Sequence, residues 1–170
     1  MPIIHWPVIP PTPVSPPIVT TPNASSIIFT GMPSGQENVA SSNPSFEKEV
    51  LRLVNVERVK KGLKEVKWDE DLSRAARYHA GDMSNNDYFE HDIHDRVGTK
   101  LVRIGGTFER ISKFSRRGHS ENIAWNQSTP ADVMRSWMNS PGHRDNILSP
   151  RSTLLGAGYV NRYWVQVFGN

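Results

Sequence analysis

The sequence contains no cysteine among its 170 residues. Disulfides, a thiol nucleophile and thiolate metal sites are therefore excluded, and a metal ion would have to be held by His, Asp or Glu side chains. A cysteine-free chain is compatible with a reducing cytosol, and equally with secretion by a bacterium whose domain needs no disulfides.

Long hydrophobic runs are also missing. No run approaches the roughly 18 apolar residues of a membrane span, so we expect no transmembrane segment. Residues 1–7 lack a basic region and are interrupted by proline, which is not the pattern of a signal peptide. We therefore expect that a leader peptide is not present in this chain.

Basic residues are absent from residues 1–44, which hold ten of the thirteen prolines and a single acidic residue, Glu37. Proline fixes φ and removes a backbone donor, so this composition favours extended or disordered chain. The sequence predicts a flexible leader or tether over residues 1–44 and one folded domain over residues 45–170. The domain carries all twenty basic and sixteen acidic residues, an excess of four, which does not indicate a nucleic-acid partner.

Apolar periodicity predicts three helices. The first begins near Asn43-Pro44-Ser45 and ends at Gly62, where a left-handed stop is natural. The second follows Trp68 and ends at residues 85–87. The third begins at residues 129–132 with a capping threonine and a proline, and Pro141-Gly142 is expected to end it in a turn.

The last part of the chain changes to an alternating pattern. Residues 158–160 and 163–168 are typical of strands joined by a tight turn at Asn161-Arg162, and residues 121–125 are also β-prone. Helices followed by closing strands indicate an α+β layered domain rather than a repeated β-α-β array.

Three polar residues lie beside these elements: His91 after the second helix, Glu121 at a β-prone run, and His143 after the third helix. Each has an ordinary structural explanation when taken alone. A histidine near a helix C-terminus, for example, is stabilised electrostatically when protonated. We hypothesise that the three residues share one cleft.

The chain from residue 46 to residue 168 resembles the CAP superfamily, which comprises cysteine-rich secretory proteins, antigen 5 and pathogenesis-related 1 proteins and is also called the SCP domain. Ser140-Pro141-Gly142-His143-Arg144 and the missing cysteines resemble its bacterial branch. The resemblance rests on ordered segments at residues 53–58, 62–63, 66–69, 72–83, 88–91, 121–124, 137–148, 156–158 and 163–169.

That resemblance implies an α-β-α sandwich with a central antiparallel sheet and a large cleft. In eukaryotic members two histidines and two acidic residues line the cleft and can hold a divalent ion. His91 and Glu121 match the first histidine and the first glutamate of that set, and Asn122 follows in the same motif. Tyr163 stands where those members have their second histidine, and residues 139–140 stand at their second acidic position. In the bacterial pattern, His143 is the candidate that replaces these two missing residues in the cleft.

Two functions are open at this point. The first is a secreted or cell-surface module that binds a lipid, a sterol or a cell-wall fragment. In it, His91 and His143, with support from Glu121, form either a weak site for a divalent ion such as zinc or a hydrogen-bond network without metal. The second is a metal-assisted hydrolase in which Glu121 acts as general base. No H-E-x-x-H motif supports hydrolysis directly, so we favour binding.

A basic stretch runs from Arg96 to Arg117, with Glu109 as its only acidic residue after Arg96. Arg96, Lys100 and Arg103 are spaced to share one face of a helix, which is usually solvated. The alternative is contact with an anionic wall polymer or with lipid.

Overall fold

The computed structural model describes residues 29–170. Residues 1–28 of the predicted leader, with most of its prolines, lie outside the described residues. The elements follow in the order α1 (Pro44–Lys60), β1 (Lys67–Trp68), α2 (Glu70–Asn86), β2 (Ile93–Val97), β3 (Lys100–Gly105), α3 (Thr107–Phe114), β4 (Gly118–Trp125), α4 (Pro130–Asn139), α5 (Pro141–Ile147), β5 (Leu154–Val160) and β6 (Tyr163–Gly169).

The central sheet has the strand order β1-β5-β6-β4 and lies between two helical layers. β6 pairs antiparallel with both β4 and β5, and only the two-residue strand β1 runs parallel to its neighbour. Helix α2 packs on one face of the sheet, and α1, α4 and α5 cover the other. The predicted α+β sandwich with a central antiparallel sheet is confirmed.

Both faces of β6 are buried, so its side chains alternate between two cores. Val165 and Val167 pack with α2, whereas Trp164 and Phe168 pack with the opposite helices. Because β4 pairs with β6 in register, this alternation also fixes which way each β4 residue points.

Helix α2 lies unusually close to the sheet because two glycines of β5 face it. A Cβ atom on Gly156 would lie 2.2 Å from the backbone of Leu72, and one on Gly158 would lie 2.4 Å from the backbone of Ala76. The glycines therefore let the backbone of the N-terminal half of α2 rest directly on β5.

The predicted helix boundaries are set by side-chain caps. Asn43, Asp69 and Thr129 accept hydrogen bonds from the first-turn N–H groups of α1, α2 and α4. Asp87 ends α2 in the left-handed conformation, with φ of 51°, and Gly62 follows α1 with φ of 71°.

Residues 93–105 form a hairpin, so the expectation that Arg96, Lys100 and Arg103 share a helical face is wrong. β2 and β3 pair antiparallel as a separate two-stranded sheet. The turn between them contains Gly98, whose φ of 61° suits a hairpin turn. β-Branched residues on both sides of that turn favour strands over a helix.

Pro141 begins a new helix instead of ending α4 in a turn. Its ring occupies the first turn of α5, where the missing N–H group costs nothing. His143 therefore lies in the first turn of α5, not at the C-terminus of α4. The expectation that a helix C-terminus stabilises its protonated form is wrong for this position.

The described part of the predicted tether, residues 29–43, is packed against the domain. Val39 is buried, and Phe29 contacts the Tyr78 ring edge-on at 5.4 Å. Arg74 donates to the backbone carbonyl oxygens of Gly35 and Glu37. This part of the predicted leader therefore makes specific contacts with the domain, while the flexible leader over residues 1–44 and the boundary at residue 45 stay predictions. Across residues 29–170, no helix is both long and apolar enough to cross a bilayer.

Candidate functional site

Glu121 is the centre of the candidate site. It lies in β4 opposite Val167, so its side chain points to the α2 face of the sheet, where it is almost fully buried. Its Oε1 atom lies 3.0 Å from Nδ1 of His91, and its Oε2 atom accepts a hydrogen bond of 2.6 Å from Nη2 of Arg110. Both carboxylate oxygens therefore have a charged or polar partner.

The carboxyl of Glu121 is ionised despite its burial. Burial would raise its pKa, but the positive charge of Arg110, the nearby His79 and the hydrogen bond from His91 outweigh burial and lower the pKa to about 2. Opposite charge at hydrogen-bonding distance is the usual way in which a buried carboxylate is kept charged.

Arg110, which lies in α3, is completely buried. Besides Glu121, its Nη2 donates to the backbone carbonyl oxygen of His91 at 3.3 Å, and its Nη1 lies 3.5 Å from the carbonyl oxygen of Ala75. The arginine therefore joins β4, α2 and the His91 segment. Sequence reasoning missed this role, because Arg110 was only one of seven basic residues in the stretch.

His91 presents its ring to solvent, with 48% of its side chain exposed. A carboxylate can only accept, so Nδ1 of His91 carries the proton in this hydrogen bond. In the neutral form of the ring, Nε2 is then the hydrogen-bond acceptor. The arrangement holds one imidazole in one tautomer and one orientation.

His79 contacts the backbone of the residue that precedes His91. It is fully buried in α2, and its Nε2 lies 2.9 Å from the backbone carbonyl oxygen of Glu90, which precedes His91. Burial and the charge of Arg110 lower the pKa of His79 to about 3, so the ring is neutral and Nε2 donates to that carbonyl. In the sequence His79 falls at the same helical spacing as the apolar residues Leu72, Ala76 and Met83, which gave no sign of this contact.

His143 has no hydrogen bond to His91. Burial lowers the pKa of His143, and the charge of a protonated His91 lowers it further. Its backbone carbonyl oxygen accepts from Nδ2 of Asn122 at 3.1 Å. The backbone of α5 at His143 is therefore tied to β4 at the residue after Glu121, while the cleft shared by His91, Glu121 and His143 stays a prediction.

The side chains of Asn122 and Tyr163 lie away from the Glu121 carboxylate. Asn122 points to the opposite face of β4, where it is buried and hydrogen-bonded to Gln166 and Asn146. Tyr163 pairs with Trp125, four residues along β6 from the partner of Glu121, which is roughly 13 Å at the usual rise of a strand. Asn122 anchors α5 to the sheet, and Tyr163 packs in the core beside α2.

The donor set does not fit a resident divalent ion. Within residues 29–170 no group of three or more His, Asp or Glu side chains is placed to hold a metal. Both oxygens of Glu121 are taken by His91 and Arg110, which leaves two imidazoles where a zinc site uses three or four protein ligands. Metal binding by His91 and His143 stays a prediction.

Chemistry at this site would depend on His91 rather than on Glu121. A general base needs a free lone pair within reach of the substrate. Glu121 is buried, both of its carboxylate oxygens already accept hydrogen bonds, and its low pKa makes it a weak base. His91 Nε2 is the exposed acceptor that Glu121 orients.

Comparison with known proteins decides the family. Residues 51–168, more than half of the chain, match the sequence profile of the cysteine-rich secretory protein family, CAP. The chain belongs to the CAP family. The segment matched runs from α1 to β6 and includes every residue of the candidate site.

Two Bacillus subtilis proteins are similar in sequence to this CAP domain. The uncharacterized protein YkwD is 41% identical over 139 residues, which cover 77% of this chain and 51% of YkwD. The uncharacterized membrane protein YlbC is 37% identical over 122 residues, or 72% of this chain and 34% of YlbC. The chain thus spans about half of one relative and a third of the other.

Two solved structures share the CAP fold. An extracellular SCP-domain protein from Bacillus anthracis aligns with a TM-score of 0.64 and 29% identity, over 73% of this chain and 40% of that one. An outer surface protein of Borrelia burgdorferi aligns with a TM-score of 0.59 and 21% identity, over 72% and 90% respectively. The second likeness shows the fold alone.

Proposed function

We propose that this CAP domain is an extracellular or cell-surface binding module that holds a polar cell-wall fragment at His91 and His143. The location is supported by the Bacillus anthracis protein, which is described as extracellular. The binding role is supported by one observation: an exposed imidazole is held in place by a buried carboxylate, which is itself held by a buried arginine.

The surroundings of His91 favour a polar ligand over a sterol or a lipid chain. Glu90 beside it is exposed, and Asp92 forms an exposed ion pair of 2.7 Å with Arg103. Ligands bearing hydroxyl and amide groups can exchange hydrogen bonds with such a surface, whereas a sterol needs an apolar enclosure. The glycan and peptide parts of a wall fragment have these groups.

Binding can be measured by following backbone amide signals in NMR while a soluble disaccharide-peptide from peptidoglycan is added. We expect shifts around His91 and His143, and a loss of affinity of about tenfold or more in His91→Ala, because truncation removes the oriented acceptor. The matched control is His94→Ala, since His94 lies three residues further on and bonds only to the backbone of Asp92 through its ring. Equal affinity in both variants would contradict the proposal, as would tighter binding of a sterol or a fatty acid.

A second candidate function is hydrolysis, which one observation favours. A histidine with Nδ1 on a buried carboxylate and Nε2 facing solvent is the usual arrangement of a general base. In this alternative His91 Nε2 removes a proton from water, and the resulting hydroxide attacks the carbonyl carbon of the substrate. The bond to the leaving amine or alcohol then breaks, and the imidazolium of His91 returns the proton to that leaving group.

The two candidates are separated by turnover. Purified protein is incubated with casein, peptidoglycan and ester substrates, in zinc and in chelator. We expect no turnover in any of them. Turnover that disappears in His91→Ala would establish the hydrolase, and chelator-sensitive turnover lost in Glu121→Ala would restore the metal-assisted mechanism.

A further inference from the structure

The β2–β3 hairpin has a surface that the candidate site does not use. It is a two-stranded sheet separate from the central sheet, and its turn lies at residues 98–99. Five large apolar side chains are exposed to solvent here. Four belong to the hairpin, Val97, Leu101, Val102 and Ile104, and the fifth, Phe108, follows it.

The register of the hairpin gathers aliphatic side chains on one face. Val97 pairs with Lys100, and side chains alternate along β3, so Val97, Val102 and Ile104 point the same way. Lys100 and Asp95, the partner of Val102, share this face. Val97 is 65% exposed, and Phe108, three residues after β3, is 53% exposed. Exposed apolar groups gathered this closely mark an interaction surface in a soluble domain.

Charge on the hairpin is mostly basic. Residues 93–105 hold three basic residues and one acidic residue, Asp95, whose carboxylate accepts from the backbone N–H of Gly31. Lys100 lies exposed beside the turn, and Arg103 is exposed although paired with Asp92. Cations alternating with aliphatic groups match a surface that has both negative charge and an apolar interior.

The hairpin is also held in a fixed position. Asp92 accepts hydrogen bonds from the Arg103 side chain at 2.7 Å and from the Thr107 backbone at 2.9 Å. Arg96 donates to the carbonyl oxygens of Asn86 and Asp87 at the end of α2, both at 2.8 Å. A surface fixed in this way loses little conformational entropy on docking.

We propose that the β2–β3 hairpin docks this CAP domain onto the surface of an anionic lipid bilayer. Val97, Val102 and Ile104 enter the boundary between headgroups and acyl chains, while Lys100 contacts lipid phosphates. A hydrophilic polyanion such as a wall polymer would satisfy the basic residues but leave the aliphatic face in water. The aliphatic face therefore favours lipid over polymer.

This surface adjoins the candidate site through Asp92, the residue after His91. Docking would place His91 close to the bilayer surface, but the hairpin binds lipid whether or not the cleft has a ligand. The proposal therefore stands apart from the proposed function.

Vesicle flotation tests the docking surface with the full chain. The vesicles contain either equal parts of phosphatidylglycerol and phosphatidylcholine, or phosphatidylcholine alone. We expect the wild-type chain to float with the anionic vesicles, and the triple variant Val97→Ser, Val102→Ser, Ile104→Ser to partition about tenfold less, because it exposes less apolar surface. Lys100→Gln should weaken binding to the anionic vesicles alone.

Matched controls keep the result specific. Val59→Ser changes a valine of α1 that is 57% exposed and remote from the hairpin, and it should float like the wild type. His91→Ala should also float like the wild type, which separates this surface from the ligand site. Circular dichroism verifies that the triple variant is folded.

Three results would overturn the proposal: no flotation of the wild type, equal flotation of the triple variant, or full competition by soluble polyglutamate. The second would mean that another part of the chain, residues 1–28 included, binds the vesicles. The third would mean that charge alone is recognised.

Discussion

Replacing Arg110 by methionine removes the partner of a buried carboxylate while nearly preserving side-chain volume. The guanidinium and the carboxylate are 2.6 Å apart, and both side chains are at most 1% exposed. Breaking a buried pair from one side costs about 3–5 kcal/mol, because the remaining charge has no compensation. We expect Arg110→Met to lose that much stability at neutral pH, measured by urea unfolding with tryptophan fluorescence.

The pH dependence gives a sharper test of the same reasoning. In the wild type the pKa of Glu121 is lowered from 4.5 to about 2, so its contribution is present above pH 4.5 and is lost as pH falls towards 2. The shift corresponds to about 3 kcal/mol. Without Arg110, protonation removes the uncompensated buried charge of Glu121 and so stabilises the variant at low pH. The difference in free energy of unfolding between wild type and variant should therefore shrink as pH falls.

Two further variants complete the experiment. The double variant Arg110→Met, Glu121→Gln removes both charges and should recover part of the lost stability. Arg135→Met removes the exposed partner of Asp132, an arginine that is 69% exposed in its side chain, and should cost less than about 1 kcal/mol. An Arg110→Met protein as stable as the Arg135→Met control, or a difference from wild type that is constant with pH, would refute the buried pair.

Four other outcomes are expected. Burial raises the pKa of Asp82 from 3.8 to about 7, so the protonated form stabilises the fold below pH 3.8 and this contribution is lost as pH rises to about 7. In urea unfolding, the stability advantage of Asp82→Asn over wild type should therefore grow between pH 3.8 and pH 7. A difference that is constant with pH would contradict this. Gly158→Ala should destabilise by about 2 kcal/mol or more in thermal unfolding, since its Cβ would overlap the α2 backbone, and an unchanged Tm would exclude that contact. Glu121→Gln should release Nδ1 of His91 from its fixed tautomer, seen as altered imidazole nitrogen shifts in NMR; unchanged shifts would show that the carboxylate does not set the ring. Calorimetric titration of zinc should show at most weak binding that disappears in His91→Ala, His143→Ala, and unchanged affinity in this double variant would contradict the predicted ligands.

The sequence was sufficient for the elements that carry local signals. α1, α2 and α4 begin at capping side chains and follow apolar periodicity, so their boundaries could be predicted within a residue or two. The hairpin and α3 could not, because residues 92–119 have no sustained period. What holds that segment is tertiary: Asp92 bonds to Arg103 and Thr107, eleven and fifteen residues away.

The candidate site divides in the same way. His91 and Glu121 could be named because both lie in motifs that resemble a known family. Arg110 and His79 could not, since one looks like a solvated basic residue and the other like part of an apolar stripe. Their roles depend on burial, which brings charge and hydrogen bonds together from three elements that are distant in sequence.

The arginine also bears on the choice between binding and hydrolysis. Glu121 gives one oxygen to His91 and the other to Arg110, so its negative charge is already compensated by a full positive charge at 2.6 Å. A carboxylate that serves a general base stabilises the imidazolium formed during proton transfer, and compensation by a guanidinium weakens that effect. What Glu121 supplies to His91 is therefore orientation more than charge. Orientation is sufficient to present an acceptor to a ligand, whereas proton abstraction needs both, and this difference is the physical reason for preferring the binding role.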